Sequence, residues 1–446
     1  MKQFWEAFLI EARSKGIDEV EMMMQRSKNF SINVYESKLE KYLLSEDGGY
    51  AFRGKVNGKM GSVYTELLNL ELIEELVDTL IENAQSIDSA DPVFLYPGKG
   101  IAMESDLRKA SDGNEAEKIE FAMELEKAAL QFDPRIHKVT NSFFAEQESE
   151  YQLMNSHGLS CSEQDRYFMA YSYLTAEEDG DRQTAFAFQL SRDFRELNPQ
   201  TIAREAAAEA ISILHPKRIL SGSYEAVLEN RVVVDFLESF GSIFSADAVQ
   251  KGLSRMKGKL NEKVASSLIT LVDDPTGAVG FLKQPFDSEG VKTQKKKVID
   301  QGVLTTYLHN LKTANKAGIE STGNAHQSSY KGSMGISTSN FYMEPGMRSK
   351  ESMIKEMKEG IVITEVQGLH SGLNPVSGDF SLAASGFLIK DGERDHAIHQ
   401  ITIAGNWFQL LQEIHEVGKD LWFGIPSGGH FGAPSIWLKS LSVAGE

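Results

Sequence analysis

His415-Glu416-x-x-Lys419 is the stretch of this 446-residue chain that comes nearest to a metal-hydrolysis motif. In a helical His-Glu-x-x-His pattern, two imidazoles one turn apart hold zinc and the glutamate works on the bound water. Here a lysine stands at the second ligand position, and an ammonium has no lone pair to offer. Trp407, Leu410, Leu411 and Ile414 share one face, so residues 405–417 read as an ordinary amphipathic helix with His415 at its surface or boundary. His396 and His399 have a spacing that would suit a metal on a helix. Their surroundings read as a strand, where an odd spacing sends the two rings to opposite faces. Gly49-x4-Gly54-Lys55 imitates a phosphate-binding loop, but Val56 occupies the place of the magnesium-binding hydroxyl. Its context is also strand to hairpin, so no helix N-terminus faces a phosphate. No Gly-x-Ser-x-Gly elbow occurs, and Cys161 carries no signal of a nucleophile. Residue chemistry alone yields no catalytic constellation.

Charge and composition exclude several classes of function. Lys and Arg number 46 against 64 Asp and Glu, for a net charge of −18. Binding a phosphate backbone needs a concentrated basic footprint. The one dense run, Lys295-Lys296-Lys297, falls in an expected hairpin beside Asp300 and reads as a solvated strand. Nucleic acid is therefore not an expected partner. A single cysteine rules out an internal disulfide and a multi-cysteine metal site, and fits a reducing compartment. No apolar run approaches the roughly 20 residues that span a bilayer. The opening MKQFWEAFLIEARSKG mixes charges among its apolar residues, as an amphipathic helix does and a signal peptide does not. The expectation is a cytoplasmic, membrane-free protein.

The length predicts two or three domains, and the elements suggest where they divide. Residues 2–15 form an expected helix with Trp5, Phe8, Leu9 and Ala12 on one face. Val20, Met22 and Met24 alternate, as do Phe30, Ile32 and Val34, which predicts half-buried strands. Asn57-Gly58 is a type I′ hairpin signal. Helices follow at about 69–87 and 115–131, joined by a polar, Asp/Pro/Gly-bearing connection, with strands near 138–145, 149–154, 166–175 and 183–191. The order helix, strands, helix, strands hints at a weak duplication. A third helix, about 198–214, stops at His215-Pro216. Beyond it the chain is glycine-rich, with many short strands and helices at 231–245, 350–359 and 405–417. The expected fold class is α+β: an N-terminal α/β domain over residues 1–220 and a mainly antiparallel β-rich domain over 221–446.

Within residues 221–446 a series of segments resembles the TldD/PmbA family, peptidase U62, also labelled modulator of DNA gyrase. They are Leu271-Val-Asp273-Asp274-Pro275, Phe286-Asp287-Ser-Glu289-Gly290-Val291, Ile299-Asp-Gln-Gly302-Val-Leu304 and Ser321-Thr322-Gly323-Asn324-Ala325. Ser377-Gly378-Asp379-Phe380-Ser381 through Ala384-Ser-Gly386-Phe387, and the ending Leu441-Ser-Val443-Ala444-Gly445, complete the series. Their shared order over about half the chain carries the resemblance.

Catalytic members of that family place His-Glu-x-x-x-His on the helix before the Asp-Asp segment, with a cysteine near the C-terminus as a further ligand. Counting back from Asp273-Asp274, the motif falls on Leu237-Glu238-Ser239-Phe240-Gly241-Ser242. Both histidine positions are vacated, to Leu237 and Ser242, and only Glu238 remains. Leucine has no donor atom, and a serine hydroxyl is a poor substitute for imidazole. Val233, Phe236, Leu237, Phe240 and Phe244 make a stripe that reads as a core helix, with Glu238 solvated or hydrogen-bonded rather than a general base. These departures match the PmbA/TldE-type branch.

The resemblance implies a chain without its own metal or other cofactor. It would complete a closed chamber around a zinc-bearing TldD-type subunit as a heterodimer, or form a homodimer when alone. Small peptides and unfolded proteins would be the substrates, bound as added strands. Candidate peptide-binding or chamber-lining residues are Ser377, Gly378, Asp379, Ser381, Gly323 and Asn324. Two alternatives stay open. One is a self-sufficient metallopeptidase drawing donors from His326, His370, His415 and His430. The other is a regulatory binding protein without proteolysis.

Overall fold

The computed structural model describes residues 1–17, 19–88, 93–98, 102–104 and 113–446; most of the polar connection expected before residue 114 lies outside the described residues. The chain divides into two compact units. The first comprises Met1–Leu214 with the short segments Ser288–Gly290 and Gln327–Ser333, and the second holds the remainder.

The first unit contains α1 (Lys2–Ser14), β1 (Val20–Tyr35), β2 (Lys38–Val56), β3 (Lys59–Thr65) and α2 (Ile73–Gln85). The short β4 (Ala102–Glu104) comes next. Then follow α3 (Glu115–Phe132), β5 (Ile136–Asn155), β6 (Ser160–Glu178), β7 (Asp181–Ser191) and α4 (Pro199–Ser212). The hinted duplication is real at the level of elements: helix, three strands and helix occur twice. The strands make one sheet in the order β3-β2-β1-β5-β6, with β7 and β4 both on the far side of β6. The leading strands of the two repeats, β1 and β5, pair antiparallel at its middle.

Local chemistry explains the helix starts. Asn114 accepts from the Glu117 amide while the Glu117 carboxylate reaches back to the Asn114 amide, a capping box. Asn198 caps α4, and Pro199 sits at its first turn, where a missing N–H costs nothing. Asn57 and Gly58 take positive φ between β2 and β3, as the hairpin requires.

The strands are longer than alternation alone predicts. Residues 138–145 and 149–154 belong to one continuous strand, β5, and β1 likewise runs unbroken through Gln25–Asn29. Polar residues interrupt the apolar pattern there, but neighbouring strands on both sides keep the backbone groups paired. Val20, Met22, Met24 and Ile32 share one face of β1. The first three join a core with α1 and α2, and Ile32 joins a separate core with α3 and α4. A polar band separates the two.

The second unit opens with β8 (Gly222–Leu228), α5 (Asn230–Phe240), α6 (Ala246–Lys251), β9 (Leu271–Asp274), β10 (Lys296–Asp300) and β11 (Val303–Leu304). Next are α7 (Leu311–Ala317), β12 (Ala325–His326), β13 (Gly335–Ile336), β14 (Asn340–Met343), α8 (Lys350–Met357), β15 (Gly360–Gln367) and α9 (Leu369–Gly372). It ends with β16 (Asp379–Lys390), β17 (Glu393–Asn406), α10 (Trp407–Glu413), β18 (Ile414–Val417), β19 (Trp422–Phe423), β20 (His430–Ala433) and β21 (Ile436–Ala444). One sheet runs β11-β10-β9-β14-β20-β19; the other runs β17-β16-β15-β8-β21-β18 and closes by β17 pairing with β21. Pairing is antiparallel except for β8 with β15 and β14 with β20. The α+β expectation holds.

The expected helix over 405–417 is half helix and half strand. Asn406 caps α10, which stops at Glu413, and Ile414, Glu416 and Val417 then pair with β21. Ile414 and Val417 are buried there, so burial on a sheet overrides the helical spacing read from the sequence. His415 is an exposed strand residue whose ring meets Trp437 edge-on, with centroids 4.6 Å apart.

Candidate functional site

Leu237 and Ser242, the positions where the resemblance puts the family's two imidazoles, lie on α5 and the turn that follows it. This helix buries Val232, Val233, Phe236, Leu237 and Phe240. Phe236 stacks on Trp407 with centroids 4.9 Å apart and rings 8° from parallel. After Phe240 the helix tightens into a 3-10 turn, Gly241–Phe244. Glycine is needed at its start, because a Cβ on Gly241 would stand 2.9 Å from the Phe431 ring. Leu237 is 2% exposed and packs in the core, whereas Ser242 is exposed. Two metal donors must converge; these two side chains face different surroundings.

Glu238 is exposed and accepts a hydrogen bond from Ser427 Oγ in the glycine-rich loop before β20. One turn back, Asp235 has its carboxyl pushed up to about 7 by burial first, then by the charges of Glu238 and Glu365, with Arg231 pulling the other way. Arg231 itself lies 5.5 Å over the Trp422 ring. Asp235 can therefore exchange a proton near neutral pH. Motif searching missed it, although its three-residue spacing from Glu238 on one helix face was a visible signal.

The second unit also holds a buried polar network anchored by Asp273, which is 0% exposed. Asp273 Oδ1 accepts from the Ser339 amide at 2.6 Å and from Ser339 Oγ at 2.7 Å. Its Oδ2 accepts from Lys296 Nζ at 2.9 Å and from Asn324 Nδ2 at 2.8 Å. For neighbouring Asp274, burial pushes the carboxyl up, but Thr276 and then Lys295 outweigh it and hold it below its usual value. The lysine run is thus solvated at its two ends and largely buried at its middle residue. Lys295 pairs with Asp274, Lys296 with Asp273 and Lys297 with Asp300, and Lys296 is only 10% exposed. The register that sets Lys296 opposite Asp273 on β9 makes the inner pair.

The candidate chamber residues fall into two groups that the structure does not join into one hydrogen-bonded cluster. Asn324 is buried and fully used: it donates to Asp273 and the Ser337 carbonyl and accepts from Lys296 and Thr322. Gly323 beside it has φ +71° and packs against the backbone at Lys292 and Thr293. In the other group, the Ser377 carbonyl accepts from Arg255 and Asn406, each at 2.9 Å. Gly378 has φ +86°, and a Cβ there would meet Phe408 at 2.4 Å. Asp379 is held below its usual carboxylate range by hydrogen bonds from Asn406 and then Ser377. Ser381 is exposed on β16.

The candidate metal donors are scattered. His370 is exposed on α9 and His326 is half-buried on β12, its imidazole held below the usual range by burial. His430 has both ring nitrogens occupied. Nδ1 accepts from the Phe281 amide at 2.9 Å, so Nε2 carries the proton and donates to the Gly424 carbonyl at 3.0 Å. Among the described residues no group of three or more His, Cys, Asp or Glu side chains is placed to hold a metal ion. The donors present do not fit a zinc site.

Burial holds His430 down at about 4. The unfolded chain therefore takes up a proton that the folded one refuses as pH falls from about 6.5 to about 4. The stabilisation is complete above pH 6.5 and is lost on acidification, by about 3 kcal/mol from this group at full extent. Thermal unfolding measured at pH 7 and pH 4.5 is expected to show a smaller drop for His430→Gln, if the variant folds, than for the parent. An equal drop in both would remove His430 as the cause.

Comparison with known proteins assigns this architecture to a class. The model for the PmbA/TldA metallopeptidase C-terminal domain matches residues 221–445, the central-domain model residues 109–214 and the domain 1 model residues 20–84. The class is that of metallopeptidase-related chains with this three-part layout. The protein belongs to the PmbA/TldD family. Metalloprotease PmbA of Escherichia coli is 26% identical over 98% of this chain and 94% of its own length. A metalloprotease of Archaeoglobus fulgidus is 33% identical over 49% of this chain and 52% of its own. A Thermotoga maritima structure described as a candidate modulator of a DNA gyrase superposes with a TM-score of 0.90 at 32% identity, covering 99% of this chain and 100% of that one. TldE from Thermococcus kodakarensis superposes at 0.87 over 99% and 100% of the two chains; at 23% identity that likeness is one of fold. None of the helices described is long and apolar enough to cross a membrane.

Proposed function

We propose that this chain is the zinc-less subunit of a metalloprotease acting on small peptides and unfolded proteins, with the metal and the cleavage supplied by a TldD-type companion. The observation that carries the reading is the pair Leu237 and Ser242. At the positions where the family resemblance puts the two imidazoles, one side chain is aliphatic and buried and the other is an exposed hydroxyl. Glu238, left without a metal-bound water to act on, is engaged with Ser427. Likeness to proteins named as metalloproteases supports the peptidase connection. The cytoplasm is the proposed location, on the strength of the single, buried cysteine.

Elemental analysis and a peptidase assay test this directly. The purified chain is expected to hold substoichiometric zinc and leave an unstructured peptide intact. Co-expression with a family member that keeps His-Glu-x-x-x-His is expected to yield a complex that cleaves the same peptide and loses activity to a chelator. One tightly held zinc per chain, together with hydrolysis by the chain alone, would defeat the proposal.

A further inference from the structure

The polar band between the two cores of the first unit is hollow. A trough of about 400 Å³ crosses the sheet there, lined by residues of β1, β2, β5 and β6. Alternation puts Arg26 and Lys28 on the face of β1 that carries Met22, Met24 and Ile32. On neighbouring β5 the register sets Glu150 opposite Arg26 and Glu148 opposite Lys28. Two cations about 7 Å apart on one strand thus stand beside two carboxylates on the next, about 5 Å across the ladder. Opposite charges so placed ordinarily close into cross-strand pairs. Here third groups hold them apart. Arg26 turns away to donate to the Tyr50 hydroxyl at 2.7 Å. Gly48 makes room for that turn, since a Cβ there would stand 2.8 Å from Arg26 Cγ. Glu150 accepts from Gln152 Nε2 at 2.7 Å, and Glu148 leans towards Arg166 of β6, 3.9 Å away. Among the described residues Lys28 pairs neither with Glu148 nor with Glu46, which faces it from β2.

We propose that this trough binds a small zwitterion, its carboxylate held by Arg26 and Lys28 and its ammonium by Glu148 and Glu150. The two strands present a positive column beside a negative one, and a ligand of both signs completes each with charge-assisted hydrogen bonds. A simple anion would meet the glutamates, and a simple cation the arginine and lysine, so like-charge repulsion rejects both. The spacing of the columns sets the ligand's span, with ammonium and carboxylate about 5 Å apart. A dipeptide with free ends and an ω-amino acid both reach across that gap. An α-amino acid carries its two charges on one carbon, too close together to serve both columns. The trough has the volume for a molecule of the first two kinds. An unfolded protein cannot bring its two ends to the same place, so the site selects against the long substrates proposed above. The proposal is independent of the zinc-less reading and stands or falls apart from it.

Titration of the full chain with alanyl-alanine and with δ-aminovalerate tests the site. At least one is expected to bind, and to bind about tenfold more weakly once its amine is acetylated or its carboxylate amidated. Binding of the dipeptide alone supports the proposal with short peptides as the source, and binding of the amino acid alone supports it with ω-amino acids. Lys28 and Glu148 are exposed, so neutral variants of either keep the fold, which an unchanged melting temperature verifies. Lys28→Gln is expected to weaken the zwitterion about tenfold and leave its amide unaffected. Glu148→Gln is expected to weaken the zwitterion about as much and leave its N-acetyl form unaffected. Absence of binding by both compounds at about 10 mM, by calorimetry and by melting-temperature shift, overturns the proposal. Equal affinity for the blocked forms overturns it too, as do variants that weaken every form alike.

Discussion

Asp273→Ala is expected to lower the folding stability by about 3–5 kcal/mol, the largest loss for any single polar residue here. The carboxylate is fully buried and accepts four hydrogen bonds, from Ser339 twice, Lys296 and Asn324. Alanine leaves the Lys296 ammonium, 10% exposed, with Asn324 Oδ1 as its one remaining hydrogen-bond partner among the described residues. An uncompensated buried charge costs more than the pair ever contributed. That asymmetry supplies the control. Removing both charges with Asp273→Leu and Lys296→Met is expected to recover the part of the loss that comes from the stranded ammonium, while the donors on Ser339 and Asn324 still lack their acceptor. Denaturant unfolding followed by tryptophan fluorescence measures it, because three of the four tryptophans, Trp407, Trp422 and Trp437, lie in the second unit. A cost below about 1 kcal/mol, or a double variant no better than the single one, would show that the network is not under this constraint.

Asp235→Asn acts in the opposite direction. With its carboxyl pushed up to about 7, Asp235 resists ionising in the folded state and ionises freely in the unfolded one. The folded state is at no disadvantage below about pH 4, and loses stability as pH rises from there through 7. An uncharged isostere removes that loss. The variant is expected to match the parent near pH 4 and to exceed it by about 2–4 kcal/mol at pH 8. A melting-temperature profile across that range decides the matter: a constant offset, or no gain at pH 8, would mean that burial and the charges of Glu238 and Glu365 do not hold Asp235 up as their placement indicates. Stabilisation by a single conservative change would also mark the carboxyl as retained for something other than folding.

Much of the scaffold was legible because its signals are local. The Asn57-Gly58 hairpin, the apolar stripe of α5 and the break at His215-Pro216 each depend on residues a few positions apart. The polar bands of β1 and β5 were misread as gaps because strand continuity there rests on neighbours far away in sequence. The helix over 405–417 failed for the same reason: β21 recruits Ile414 and Val417 into a sheet.

The candidate site divides along the same line. That residues 237 and 242 offer no imidazole follows from residue identity, since no fold can give leucine a lone pair. The lysine run shows the reverse case. Three adjacent ammonium groups look like a solvated stripe until β9 and β10 pair, and then alternation drives Lys296 inward onto Asp273, 23 positions earlier in the chain. Asp235 depends on tertiary structure in a further way, because its unusual acidity needs burial by the surrounding fold and Glu365 arriving from another element. By itself, then, the sequence determined which donor atoms exist, which turns form and which family the chain resembles. Which charges meet, and which lose their water, was decided only in the tertiary structure, because Coulomb energy and desolvation depend on distance in space and not on separation along the chain.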